Sequence, residues 1–152
     1  LTQSTFSGMR TLISIGDINV GNSTKTTNFF NGCTDLVDCG TITTSANLTH
    51  VGSMFSGCVN LRSINITNCS GLTSVGNMLL TTDSLESLIL TGLVKGGITA
   101  KDGRMNTAAL DAFMTSIGTA NGSQTLNISG HPGSQTCDPS IATDKGWTIT
   151  VS

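Results

Sequence analysis

The sequence predicts an α/β repeat solenoid, with short parallel strands on one side, an irregular, turn-rich outer side, and a C-terminal cap made of a helix and strands. Three observations predict it. Leucines at positions 12, 36, 61 and 85 stand 24, 25 and 24 residues apart. A fixed period of that size marks stacked units, each too small to bury its own apolar face. The middle two leucines follow the same phrase, Phe29-Phe30-Asn31-Gly32-Cys33 and Met54-Phe55-Ser56-Gly57-Cys58. After Leu93 the period breaks and an apolar stripe of helical spacing replaces it.

Taken in order, the units run over about residues 6–28, 29–53, 54–77 and 78–102, with a cap over 103–152. The first opens on Phe6-Ser7-Gly8-Met9 and carries a strand at Leu12-Ile13-Ser14-Ile15, with Ile18 and Val20 following. The second has its strand-like piece at Leu36-Val37-Asp38-Cys39, with Leu48 and Val51 returning to the core. The third is the clearest, with Leu61, Ile64 and Ile66 spaced LxxLxL and then Leu72 and Val75. The fourth repeats that spacing at Leu85, Leu88 and Leu90 but loses the Gly-Cys pair. Side chains alternate faces along a strand, so the leucine-type positions point inward. Ser14, Arg62, Ser63, Asn65, Glu86 and Ser87 then point outward, joined by Asn127 from a later strand. Strands of successive units are expected to pair in parallel as one continuous sheet.

In the cap, Asn106 or Thr107 opens a helix that runs through Ile117, because Leu110, Phe113, Met114 and Ile117 fall at i, i+3, i+4 and i+7. Gly118 ends it. A strand at 124–129 is expected to continue the sheet. A turn at Gly130-His131-Pro132-Gly133, a short helical turn near 139–143 and a closing strand at 145–151 complete the chain.

The phrases around residues 48–64 and 72–79 resemble BspA-type leucine-rich repeats, whose units read roughly "SIG..AF.GC..L.SI.I". The resemblance covers about Phe6 to Leu90. Residues 110–151 resemble the C-terminal caps of repeat proteins from phage tail fibres and bacterial surface proteins, through Leu126, Ile128, Ser129, Gly130, Pro132, Ile141, Ala142, Lys145, Gly146, Trp147 and Thr148. The resemblance implies adhesion at an extracellular, cell or virion surface rather than catalysis. It implies binding to a cell-surface glycan or protein of another cell; the alternatives are a structural module that contacts only sister chains and, with few candidate carboxylates, a glycan-cleaving domain. The chain then reads as a single domain, 1–152, at the C-terminal end of a longer one, with an upstream stalk that can make it a homotrimer.

Composition fits that reading. Among 152 residues the net charge is −2 and only 11% are charged, against about a quarter in an average domain. There is no cluster of Lys and Arg to bind nucleic acid, and no apolar run approaching the roughly 20 residues that span a bilayer. No cofactor or metal is expected, since CxxC pairs, GxGxxG, P-loop and GxSxG are all missing. His50 and His131 lack an acidic partner at a telling offset, and Asp35 with Asp38 reads as a solvated pair. Five cysteines leave at least one unpaired. Cys33 and Cys58 hold the same slot in consecutive units, so stacking puts them about 5 Å apart, as a disulfide or as two buried apolar plugs. Sequons occur at Asn22, Asn47, Asn65, Asn68, Asn121 and Asn127, as composition alone would supply.

Overall fold

The computed structural model describes residues 3–152; Leu1 and Thr2 lie outside them. The chain is an α/β protein with two parallel sheets. The first has the order β1 (Ile18–Asn19), β2 (Asp38–Thr43), β3 (Ser63–Thr67), β4 (Ser87–Leu90). The second has the order β5 (Ile98–Thr99), β6 (Gln124–Asn127), β7 (Trp147–Thr150). Two helices, α1 (Thr107–Ser116) and α2 (Ser140–Thr143), complete it. The expectation of a single continuous sheet is therefore corrected: β6 pairs with β5 and β7, not with β4. The edge of β4 is instead covered by α1, whose Ser116 takes the Leu90 N–H on its Oγ at 3.1 Å and the Gly92 N–H on its carbonyl at 3.0 Å.

The inward column of the first sheet advances by 24 residues at every step, one fewer than the Leu36-to-Leu61 spacing in the middle step. Ile18, Ile42, Ile66 and Leu90 align across all four strands, and all four are buried. Leu36, Leu61 and Leu85 are buried, while Leu12, in the first of the four successive units, or tiers, is partly so. Each of the four closes the same turn through its N–H, to Met9, Cys33, Cys58 and Thr82 respectively, at 3.0–3.2 Å. The first expected strand shrinks to an isolated bridge from Ser14 to Asp38. The second starts at Asp38 rather than Leu36 and contains a bulge: Asp38 pairs 25 positions ahead with Ser63, Thr41 only 24 ahead with Asn65. Gly40 makes the bulge, at φ +59°. A Cβ there would lie 2.8 Å from the Asp17 backbone nitrogen, so only glycine fits.

Opposite the strands, each tier carries a five-residue turn, at 4–8, 28–32, 53–57 and 77–81. The first and fifth positions are left-handed in every tier: Ser4, Asn28, Ser53 and Asn77, then Gly8, Gly32, Gly57 and Thr81, with φ from +53° to +79°. The central residue points inward as Phe6, Phe30, Phe55 or Leu79. Phe6 stacks on Phe30 and Phe30 on Phe55, at centroid separations of 5.2 and 5.6 Å. All the backbone tier-to-tier hydrogen bonds of these turns run one way. Phe6, Phe30 and Phe55 N–H donate to the Phe29, Met54 and Met78 carbonyls at 2.9–3.0 Å, and Gly8, Gly32 and Gly57 to Asn31, Ser56 and Leu80 at 2.7–2.9 Å.

The cap is locked by side chains at the ends of α1. Asn106 Oδ1 accepts the Ala109 N–H at 2.9 Å and caps its start. At its end, Lys145 Nζ donates to the Met114, Thr115 and Ile117 carbonyls at 2.8–2.9 Å. Trp147, 2% exposed, donates its indole N–H to the Gly118 carbonyl at 2.9 Å. Leu110, Phe113, Met114 and Ile117 form the buried stripe expected of the helix.

Two substitutions test these devices. Thr81 is β-branched in a left-handed conformation that costs roughly 1–2 kcal/mol for an L-residue. Thr81→Gly should therefore raise stability by about 1 kcal/mol, read as a higher urea midpoint at unchanged m-value, whereas Gly57→Thr should lower it by at least as much. Lys145→Met keeps the stem but orphans three carbonyls. A loss of about 1–3 kcal/mol is expected in the same urea titration, and an unchanged midpoint would refute the capping role.

Candidate recognition surface

Parallel pairing at 24-residue register brings like positions side by side on the outer face of the first sheet. Strand spacing of about 4.8 Å then makes rows. The first row is Ser14, Asp38, Ser63 and Ser87. The second is Thr41, Asn65 and Ile89, tied by a 3.3 Å hydrogen bond from Asn65 Nδ2 to Thr41 Oγ1. The third is Asn19, Thr43 and Thr67. In β3 buried residues alternate with half-exposed ones, as an amphipathic strand requires.

Six of the seven residues expected at this face are on or beside it. Ser14, Ser63, Asn65 and Ser87 stand in the rows. Arg62 and Glu86 are exposed one residue before β3 and β4, adjacent through the Glu86 N–H bonded to the Arg62 carbonyl at 2.8 Å. Asn127 is corrected: it belongs to β6 of the other sheet, and its Oδ1 accepts the Ser129 N–H and hydroxyl at 3.0 and 2.8 Å, closing a local turn. Sequence reasoning missed Asp38, Thr41 and Thr43, because the Gly40 bulge interrupts the alternation that would have shown them. It also missed Asp17, whose Oδ1 accepts the Thr41 N–H at 2.7 Å and so braces the bulge. The face offers hydroxyls, amides and carboxylates in register, with one cation, Arg62.

The remaining reactive groups are turned inward. All five cysteines are free and buried. Cys33 and Cys58 are plugs, not a disulfide: each thiol donates to the phenylalanine carbonyl one tier earlier, Phe6 at 3.0 Å and Phe30 at 3.1 Å. Desolvation pushes the Cys39, Cys58 and Cys69 thiols up to about 12. His131 is 4% exposed. Its Nδ1 accepts the Met105 N–H at 3.2 Å, so the proton sits on Nε2, which donates to the Ala100 carbonyl at 3.0 Å. Burial lowers its pKa. The ring lies so close to Gly103 that a Cβ there would come within 2.5 Å of Cε1. His50 is half-buried, its Nδ1 2.7 Å from the Thr49 hydroxyl. Among the described residues no cluster of three or more metal-ligating side chains occurs, and no helix is long and apolar enough to cross a membrane.

Compared with family models, curated proteins and solved structures, the chain finds no match.

The buried groups set a pH profile. Unfolded thiols ionise near pH 8.5–9, while the folded ones hold their protons to higher pH, so the native state binds more protons above pH 9. Stability should fall there by up to about 1.4 kcal/mol per pH unit for each buried thiol. At the acid end, burial keeps His131 neutral to lower pH in the fold than in the unfolded chain, where it protonates near pH 6.5, so stability should also fall below that value. Urea midpoints from pH 5 to 10.5 check both arms: a plateau near pH 7–8.5 with a drop on each side is expected, and a flat alkaline arm would contradict thiol burial.

Proposed function

We propose that the chain is a leucine-rich-repeat solenoid of the BspA-like type, closed by a C-terminal cap, and that it serves as a non-enzymatic recognition module at the tip of a phage tail fibre or bacterial surface fibre. The occupant of its outer sheet face is a glycan or protein on the surface of another cell. The observation that carries this reading is the in-register polar face: Ser14, Asp38, Ser63 and Ser87 in one row and Thr41 with Asn65 in the next. Short hydroxyl, amide and carboxylate groups repeated at strand spacing can hydrogen-bond the hydroxyls of a saccharide, and sheet faces built from stacked units suit macromolecular ligands. The inert thiols and the pinned His131 favour binding over covalent chemistry.

A second reading is an assembly module that contacts only sister chains. It is favoured by Val59 and Leu80, large apolar side chains 37% and 53% exposed. Light scattering separates the two, since an assembly that buries the polar face would support the second.

The purified protein is expected to label a defined subset of a glycan array or of whole cells. Replacing Ser63→Arg and Ser87→Arg together should weaken that binding at least about tenfold without changing the melting temperature, while Thr148→Arg on β7 should leave it intact. Silence on both arrays and cells, or equal binding by the double variant, would count against the proposal.

A further inference from the structure

Tier four breaks the hydrogen-bonding rule that the other tiers obey. In the second tier the N–H groups of Thr26, Asn28, Phe30 and Gly32 all donate to the third at 2.8–3.0 Å. In the third, Val51, Ser53, Phe55 and Gly57 donate to the fourth at 2.9–3.0 Å. The equivalent groups of Val75, Asn77, Leu79 and Thr81 find no acceptor among the described residues. Their neighbours Met78 and Leu80 bond within the tier, to Val75 and Asn77, so the turn itself is intact and only its forward-pointing amides lack partners. The parallel bridges that link Lys25 to His50 and His50 to Ser74 stop at Ser74. By sequence period the next tier would arrive at β5, yet β5 pairs only with β6.

Between them lies a cleft of about 470 Å³, with the four amides on one wall and Gly97, Thr99 and Lys101 on the other. Ala100 and Asp102 send their N–H groups away from it, to Asn127 and Ser129. Strand alternation therefore turns the backbone groups of Thr99 and Lys101 inward. The cleft is pinched at one end, where Gly96 meets Val75, and reaches Asp83 and Asp102 at the other. Met78 and Ile98 supply an apolar floor, and Leu80, 53% exposed, stands at the wall. Asp102 is paired to Lys101 at 3.3 Å, which leaves Asp83 as the uncompensated charge of the lining.

We propose that this cleft takes a polypeptide segment inserted between tier four and β5, its carbonyls accepting from the free amides of Val75, Asn77, Leu79 and Thr81 as tier four's own carbonyls accept from tier three, and its other edge bonding to Thr99 and Lys101. A peptide backbone supplies acceptors on one edge and further polar groups on the other, as a two-walled slot requires. Recognition of this kind draws affinity from main-chain bonds, so it tolerates many sequences. Charge complementarity with Asp83 selects a lysine or arginine near the open end, and the floor selects small apolar residues at alternate positions. The cleft is separate from the outer sheet face, so it stands or falls independently of the role assigned there.

Amide hydrogen exchange on the intact protein tests the slot before any ligand is added. Asn77, Leu79 and Thr81 should exchange at least about a hundredfold faster than Ser53, Phe55 and Gly57; equal protection would mean that the slot is already filled, and would overturn the proposal. The probe is the capped peptide acetyl-TVTVTK-amide. At saturation it should slow exchange at those three amides at least about tenfold and shift their NMR resonances. The same peptide N-methylated at alternate residues should do neither. Thr99→Trp should block the effect by filling the cleft. Should that variant fail to fold, Asp83→Lys at the exposed end should weaken peptide binding about tenfold at low salt. Equal binding by the N-methylated peptide, no effect of either variant, or shifts at these amides with glucuronate but not with peptide would each sink it.

Discussion

One tier can bond to the next only if both turns hold the same backbone conformation, and two left-handed residues four positions apart enforce that conformation in each. Gly and Asn hold five of those eight positions because they reach positive φ at little cost, and Ser4, Ser53 and Thr81 hold the other three. The apolar residue between them, Phe6, Phe30, Phe55 or Leu79, is thereby aimed inward in each tier. The aromatic column and the thiols bonded to phenylalanine carbonyls follow from that aim. The strands add a second anchor on the opposite side, where Ile18, Ile42, Ile66 and Leu90 align. Bulged Gly40, braced by Asp17, absorbs the additional residue that β2 carries relative to β3.

Any stack of parallel tiers leaves an unpaired edge, and the C-terminal region resolves that edge in two ways. Beside β4 the edge is covered by α1, whose own end is closed by Lys145 and Trp147. Beside the tier-four turn it is left open, because β5 turns to β6 and β7 instead. His131 sits where these arrangements meet. Its ring bridges Ala100, just after β5, to Met105, just before α1, and so fixes how the second sheet is set against the helix. A neutral buried imidazole with both nitrogens occupied is a structural device, and its environment holds it in that state.

Much of this architecture was legible in the chain, and the reasons are physical. Repeat spacing fixes register, so the alignment of Ile66 with Leu90 could be read directly. The stripe from Leu110 to Ile117, with Asn106 before it, announced α1 within a residue of its ends. What failed was the reading of continuity. Gln124–Asn127 looks like another strand of the same sheet because period-two patterning says that a strand exists, not which strand it meets, and so Asn127 was placed on the wrong face. The bulge hid Asp38 and Thr41 for a related reason: one additional residue inverts the alternation on which the reading depends. The left-handed Thr81 was invisible, since nothing in its composition marks it as the counterpart of Gly32 and Gly57 except its distance from them. The cleft could not be read at all, because it arises from a bond not made between two segments whose spacing fits the period.

The one-way hydrogen bonds of the turns have an electrical consequence. In a helix, peptide dipoles aligned head to tail leave partial positive charge where amides are free and partial negative charge where carbonyls are free. Here the alignment runs across tiers rather than along a single spiral, since Phe6, Phe30 and Phe55 all donate in the same sense. The turn side of the molecule is accordingly a polarised column with its electropositive pole at Asn77, Leu79 and Thr81. Such a column has a direction: its two faces are unlike, so a further tier can be added to either end in only one orientation.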